Sequence, residues 1–199
     1  IPSLSYHVVR WCFLRLMGVV LFTAFVSYWC QAMGLIGSDG IMPATHYLER
    51  IDTALTQNPS LNWLDFPSFF LLIGASDPLI HAACALGTLA SLFVVFGIAT
   101  RLSLLFLWLN YLSFFTVSGP FLGYQWDILL LEVSLIAFLY APGTLKEKLN
   151  HHTEPPKSIE WLLRLVLFKL IISSGLVKLN SGDPTWQDLT ALDYHFWTQ

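Results

Sequence analysis

Long apolar runs constrain the fold of this chain more than any other feature of its sequence. A bilayer core about 30 Å thick is crossed by an α-helix of roughly 20 apolar residues. Runs of about this length recur along the chain, separated by turn-forming residues. They cover residues 11–33, 79–99, 102–117, 124–140 and 159–179. We therefore predict an all-α fold: a polytopic transmembrane helical bundle of about five spans, with short interfacial or luminal helices.

The composition favours a membrane protein and excludes one functional class. The chain is 55% hydrophobic and 12% charged, whereas soluble domains carry about 25% charged residues. The net charge is -3 and the Lys and Arg residues are scattered singly, so the basic stripe that nucleic-acid binding requires is missing. We predict membrane lipid as the surroundings and no nucleic-acid partner.

The sequence carries no recognisable motif for catalysis, cofactor binding or metal binding. It contains no G-x-S-x-G, P-loop or H-E-x-x-H pattern, and each of these patterns would point to a specific chemistry. His151, His152 and Glu154 form a polar cluster without a second pair of metal ligands. We therefore predict no catalytic residue, no cofactor and no metal site.

The loop of residues 34–78 is the longest connection between predicted spans. Within it, residues 43–55 carry apolar side chains at helical spacing and predict a surface helix. Residues 67–75 are apolar but too short to span, so we expect them at the interface or against the bundle. Asp77 and Asp183, each followed by Pro, are predicted helix N-caps.

The loop cations predict an orientation, because Lys and Arg collect on the cytoplasmic side. In a five-span arrangement Arg50 lies alone on one side and five cations lie on the other. Those five are Arg10, Arg101, Lys146, Lys148 and Lys157. The N-terminus is thus predicted to be cytoplasmic, with the 34–78 loop and the tail 180–199 luminal or periplasmic.

Charged residues lie inside the fourth and fifth predicted spans, where a charge at mid-depth is costly. They are Asp127, Glu132, Arg164, Lys169 and Lys178. Antiparallel helices rising ~1.5 Å per residue place Glu132 level with Lys169, and Asp127 level with Lys178. We predict two interhelical ion pairs, which either fix helix register or form a proton, ion or catalytic site. Arg15, in the first span, is expected to snorkel to the inner face.

Charge reversal tests the predicted pair of Glu132 and Lys169. Glu132→Lys puts two cations at one depth and is expected to abolish folded protein, because like charges repel strongly in a low-dielectric core. Adding Lys169→Glu restores opposite charges and should recover part of the monodisperse protein seen in detergent by size-exclusion chromatography. No recovery in the double variant would rule the pair out.

Three segments resemble the lipase maturation factor family. The first reads Tyr124-Gln-Trp-Asp-Ile-Leu-Leu-Leu-Glu132. The second reads Gly175-Leu-Val-Lys-Leu-Asn-Ser-Gly-Asp-Pro-Thr-Trp-Gln-Asp-Leu-Thr-Ala-Leu-Asp-Tyr-His195. The third is Gln31 with Leu35-Ile-Gly-Ser-Asp-Gly-Ile-Met-Pro43, which resembles the family's first luminal loop. The likeness extends over nearly the whole chain and is strongest over residues 175–199.

The resemblance implies a polytopic membrane chaperone that helps secreted lipases fold and assemble into active dimers. It implies the endoplasmic reticulum membrane in a eukaryote and the inner membrane in a bacterium, since the family occurs in both. It also implies a cytosolic N-terminus and a luminal tail. The family's chain continues into a large luminal domain, so we expect residues 1–179 to form the bundle, residues 180–199 to begin a truncated luminal domain, and the sequence to be a fragment.

Two functions remain open. A chaperone would contact a secreted lipase client through aromatic residues of the first loop and the tail, although such residues also populate the interfacial aromatic belt. They are Tyr47, Trp63, Phe66, Phe69, Trp186 and Trp197. The alternative is a membrane enzyme, implied by the family's distant similarity to vitamin K-dependent carboxylase-like helical domains, with buried Lys169 or Lys178 as the base.

Overall fold

The structure, a computed structural model, describes residues 7–146 and 156–195. Within those ranges the chain is helical, apart from loops and an isolated bridge between Ile98 and Lys146. The α-helices are α1 His7–Ile36, α2 Ala44–Gln57, α3 Phe70–Ile73, α4 Asp77–Phe96, α5 Thr100–Ser118, α6 Gln125–Tyr140, α7 Lys157–Leu179, α8 Pro184–Gln187 and α9 Ala191–His195. Short 3-10 turns cover Trp63–Asp65 and Gly119–Phe121. The predicted all-α class is confirmed.

The chain forms two compact units, Ile1–Pro156 and Lys157–Gln199. We call them the first unit, which contains α1 to α6, and the second unit, which contains α7 to α9.

Among the described residues, three helical stretches are long and apolar enough to cross a membrane. They are His7–Ile36, Asp77–Phe96 and Thr100–Phe121, and they coincide with the first three predicted spans. The fourth and fifth predicted spans are the helices α6 and α7. The 16 residues of α6 extend about 24 Å, short of the bilayer core, and α7 contains five charged residues. That α6 and α7 also cross the membrane stays a prediction.

The core of the first unit lies where α1 packs against α4 and α5. Leu14, Leu21 and Phe25 of α1 are buried there. The ring of Phe25 lies edge-on to Tyr111 and Phe114 of α5, with ring centroids 5.8 and 6.5 Å away. Edge-to-face contact is a favourable geometry for aromatic pairs. These rings therefore help to set the rotation of α1 against α5.

Two glycines allow α1 and α4 to approach closely. A Cβ atom on Gly18 would lie 2.8 Å from the backbone nitrogen of Val95. A Cβ atom on Gly87 would overlap the buried ring of Phe25. Because lipid supplies no hydrophobic force between helices, close van der Waals packing at small residues drives their association. The α1–α4 contact therefore depends on the absence of side chains at these two positions.

Gly18→Ala is expected to lower the thermal unfolding midpoint of the detergent-solubilised protein. The added methyl group meets backbone of α4, and overpacking of this kind typically costs about 1–3 kcal/mol. Gly34→Ala is the matched control, because Gly34 also lies in α1 and nothing lies within 4 Å of a Cβ atom there. The control should unfold at the original midpoint or slightly above it, since Ala favours helix over Gly. Equal midpoints for the two variants would contradict the packing argument.

The first loop, residues 37–76, is anchored to the bundle. The surface helix predicted over residues 43–55 is confirmed as α2, which buries Ala44 and Ile51. The backbone of the apolar segment 67–75, which follows, is hydrogen-bonded to a threonine and a serine of α5. The loop is therefore a packed part of the first unit.

Hydrogen bonds to α5 dock the apolar segment just before α4. Thr116 Oγ1 donates to the Pro67 carbonyl at 3.0 Å, and the Phe69 N–H donates to Ser113 Oγ at 3.1 Å. Phe70, the first residue of α3, is fully buried. The segment packs on the bundle, one of the two predicted placements.

The predicted N-cap at Asp77 is wrong, whereas the one at Asp183 is confirmed. The helix α4 begins at Asp77 itself, after Ser76. The Asp77 carboxylate accepts hydrogen bonds from the Ser38 N–H at 2.8 Å and from Ser38 Oγ at 2.7 Å. This long-range contact replaces the local cap and joins the two ends of the first loop. In the second unit, Asp183 accepts from the Thr185 N–H at 3.0 Å.

Candidate functional site

A groove of about 770 Å³ opens in the first unit between α1 and α6, with α5 and the following turn completing its wall. Its α1 side extends from Met17 to Leu35, and its α6 side includes Asp127, Leu130 and Val133. Its volume falls within the roughly 300–1,000 Å³ of typical small-ligand sites. All the lining residues belong to the first unit.

Asp127 is a buried carboxylate in this groove, 4% exposed. The Tyr111 O–H donates to its Oδ1 at 2.7 Å, and the Tyr124 N–H donates to its Oδ2 at 3.3 Å. Asp127 is the third residue of α6, where the helix dipole favours an anion. Its described contacts therefore come from α5 and from the start of its own helix. The ion pair predicted between Asp127 and Lys178 stays a prediction.

A second buried polar contact lies beside the same groove. The hydroxyl groups of Tyr28 on α1 and Ser118 on α5 are 2.5 Å apart. Both side chains are buried, and buried hydroxyl groups require such partners. With the Tyr111–Asp127 bond, this contact links α1, α5 and α6. Sequence reasoning singled out Asp127 but not Tyr28, Tyr111 or Ser118.

Arg15 turns into the bundle, so the predicted snorkelling is wrong. Its side chain is buried, and Nη1 donates to the Val94 carbonyl near the end of α4. The next turn allows this approach: Gly97 has a φ of 76°, and a Cβ atom there would lie 3.1 Å from Arg15 Nη2. Carbonyl groups at a helix C-terminus attract a cation, which explains why the guanidinium group points inward.

The aromatic residues predicted to contact a client differ in exposure. Trp63 is 68% exposed. Phe66 is half-buried, and Tyr47 and Phe69 pack partly buried against the core. Leu64, which sequence reasoning missed because a lone Leu in a loop has no informative pattern, is 65% exposed. The exposed apolar surface of this turn is therefore Trp63 with Leu64.

The second unit holds the remaining predicted residues. Lys178 Nζ lies 4.8 Å from the ring centroid of half-buried Trp186, a cation–π contact. Lys169 lies on α7 and Glu132 on α6, as predicted, and their pairing stays a prediction. Trp197 lies outside the described residues, and so do His151 and His152.

The helical fold and the groove along its spanning helices define a class: an α-helical integral membrane protein. Sequence comparison identifies the family. The family described as the lipase maturation factor transmembrane domain matches residues 8–199. The chain belongs to the lipase maturation factor family, as its resemblance predicted.

Named relatives cover almost the whole chain. It is 40% identical to lipase maturation factor 2 of Xenopus laevis, over 98% of this chain and 28% of the relative. It is 35% identical to human lipase maturation factor 2, over 96% and 28%, and 28% identical to lipase maturation factor 1 of Bos taurus, over 98% and 35%. The chain therefore spans about a third or less of these curated relatives. No solved structure matches it.

Proposed function

We propose that this chain is the membrane-embedded part of a folding and assembly factor for secreted lipases. Its family and the names of its relatives support the proposal. On the chain itself, the observation that carries it is the exposed surface of Trp63 and Leu64. The proposed partners are membrane lipid and a secreted lipase client. The proposed location is the endoplasmic reticulum membrane in a eukaryote and the inner membrane in a bacterium.

The Trp63–Leu64 surface is held on a closed turn. The Asn62 N–H donates to Asp65 Oδ2 at 2.7 Å, and the Asp65 N–H donates back to the Asn62 carbonyl at 2.9 Å. The segment after this turn docks on α5. The two large apolar side chains are thus exposed on a hydrogen-bonded backbone, which lowers the conformational entropy that is lost when a partner binds. An exposed Trp on such a turn is suited to anchor a protein contact.

Replacing both side chains, Trp63→Ser with Leu64→Ser, is expected to reduce lipase maturation. Loss of one anchor typically weakens an interface by about 1–2 kcal/mol, or roughly 5- to 30-fold. The variant is made in the full-length protein and expressed in cells that lack other lipase maturation factors. The measurement is lipase activity secreted into the medium, normalised to the amount of variant in the membrane fraction.

Phe96→Ser is the matched control. Phe96 is 72% exposed and ends α4, whose first residue adjoins the first loop. The change therefore removes one large exposed apolar side chain at the opposite end of that helix, and secreted activity should be retained. Full activity in the Trp63/Leu64 variant, or an equal loss in both variants, would contradict a client contact at this turn.

We also propose that the N-terminus is cytoplasmic, with the first loop and the tail luminal or periplasmic. A contact within the first unit supports this orientation. The Ala99 N–H donates to the Leu145 carbonyl at 2.7 Å, which brings Lys146 beside the α4–α5 turn that precedes Arg101. Two loop cations thus lie at one end of the unit, as expected of a cytoplasmic end.

A single substitution tests this orientation. Asn58-Pro59-Ser60 is exposed in the first loop, and only its proline prevents it from being a glycosylation acceptor. In a eukaryotic cell, Pro59→Ala should add an endoglycosidase-sensitive mass if the loop is luminal. Combining it with Asn58→Gln should abolish the addition. A Pro59→Ala chain that stays unmodified, while a secreted reporter in the same cells is glycosylated, would overturn the proposed orientation.

The membrane-enzyme alternative gains no support. The family description and the names of the relatives refer to lipase maturation, not to a carboxylase. We therefore propose no reaction for Lys169 or Lys178.

A further inference from the structure

The helices that form the groove run in opposite directions. The ring of Phe13 lies 6.0 Å from that of Tyr140, at the end of α6. Further along α1, the ring of Phe25 lies 5.8 Å from that of Tyr111, which binds Asp127 at the start of α6. The C-terminal half of α1 therefore lies beside the beginning of α6, at the end of the unit that carries the first loop.

The middle of the groove is apolar. Met17, Val20 and Ala24 of α1 line it, together with Leu130 and Val133 of α6. Because α1 is long and apolar enough to span a membrane, these side chains lie at the depth of lipid chains. A hydrocarbon chain suits such a surface, whereas an irregular peptide would bring backbone polar groups that require partners.

The end of the groove near the first loop is polar. Ser27 and Gln31 of α1 line it together with Asp127. Tyr124 and Trp126 stack beside this carboxylate, with ring centroids 5.1 Å apart and planes 13° apart. The two residues are 54% and 67% exposed. A carboxylate that accepts one bond at each oxygen keeps further acceptor capacity, and aromatic faces attract cations.

The charge at this polar end selects among lipid head groups. Of the described residues that line the groove, Asp127 is the one that carries a formal charge. An ammonium group would complement the carboxylate and the adjacent ring faces. An anionic head group without an ammonium would meet this carboxylate and, among the described residues that line the groove, no cation.

We propose that the groove holds one phospholipid with an ammonium head group, of the phosphatidylethanolamine class. Its acyl chain lies along the apolar middle of the groove. Its ammonium group donates to the Asp127 carboxylate and contacts the ring of Tyr124 or Trp126. In this arrangement the lipid ammonium, and not Lys178, is the cationic partner of Asp127. This binding goes beyond the proposed maturation of lipases and does not depend on it.

Native mass spectrometry of the delipidated full chain tests the proposal. The protein in detergent is offered phosphatidylethanolamine or phosphatidylglycerol with identical acyl chains. We expect one retained phosphatidylethanolamine, favoured roughly tenfold or more, because its ammonium group can make a charge-assisted hydrogen bond to the carboxylate that phosphatidylglycerol cannot make. Equal retention of the two lipids would overturn the head-group assignment, and retention of neither would overturn the site.

Variants of two neighbouring valines test whether the lipid binds in the groove. Val20 lines the groove and is 51% exposed, whereas Val19 is 47% exposed and is not part of its lining. Val20→Trp should fill the groove and reduce retained lipid roughly tenfold, while Val19→Trp should retain it. Equal retention in the two variants would mean that the lipid binds elsewhere, whatever the effect of either variant on lipase secretion.

Asp127→Asn tests the head group. The amide side chain keeps an acceptor for the Tyr111 O–H, but it removes the charge that attracts the ammonium. We expect the preference for phosphatidylethanolamine to fall toward parity, with phosphatidylglycerol retained as before. If the preference persists in a variant whose thermal unfolding midpoint is unchanged, Asp127 does not bind the ammonium group.

Discussion

The close contact between α1 and α4 is the constraint on which the first unit depends. In a bilayer, moving an apolar side chain from lipid to a helix interface gains little free energy. Helices therefore associate where their surfaces pack closely. Gly18 provides this fit against the backbone of α4, and Gly87 provides it against the ring of Phe25. Phe25 in turn contacts α5 through Tyr111 and Phe114. The spacing of two helices thus determines where a third one packs, and with it the wall of the groove.

Hydrogen bonds from side chains to backbone complete this packing. Asn110 of α5 is fully buried and donates from Nδ2 to the Ala83 carbonyl of α4 at 2.8 Å. Arg15 donates to the Val94 carbonyl near the other end of the same helix. Polar groups in a bilayer must find partners inside the protein, and each such bond is available in one register of the helices. They therefore specify an arrangement that apolar packing alone would leave variable.

Features that depend on local sequence could be predicted, and features that depend on distant partners could not. The positions of the spanning helices could be predicted from the lengths of the apolar runs, because the thickness of the bilayer sets how many apolar residues a span needs. Asp77 and Arg15 were misassigned because their partners, Ser38 and Val94, lie 39 and 79 residues away. Asp127 was recognised as a candidate because a carboxylate in an apolar run is unusual. Its hydroxyl donor was not, since a tyrosine in a span carries no such signal.

The two candidate surfaces share a scaffold but no residues. The groove is built from α1, α5 and α6 and extends to Leu35, near the end of α1. The Trp63 turn belongs to the first loop, whose ends are joined by the bond between Ser38 and Asp77. A lipid in the groove would bind α1 and α6 together directly below this loop, and so would stabilise the base on which the turn of Trp63 is held. Under the two proposals, a lipid in the groove and a client at the turn would be coupled through helix packing alone, without any residue common to both surfaces.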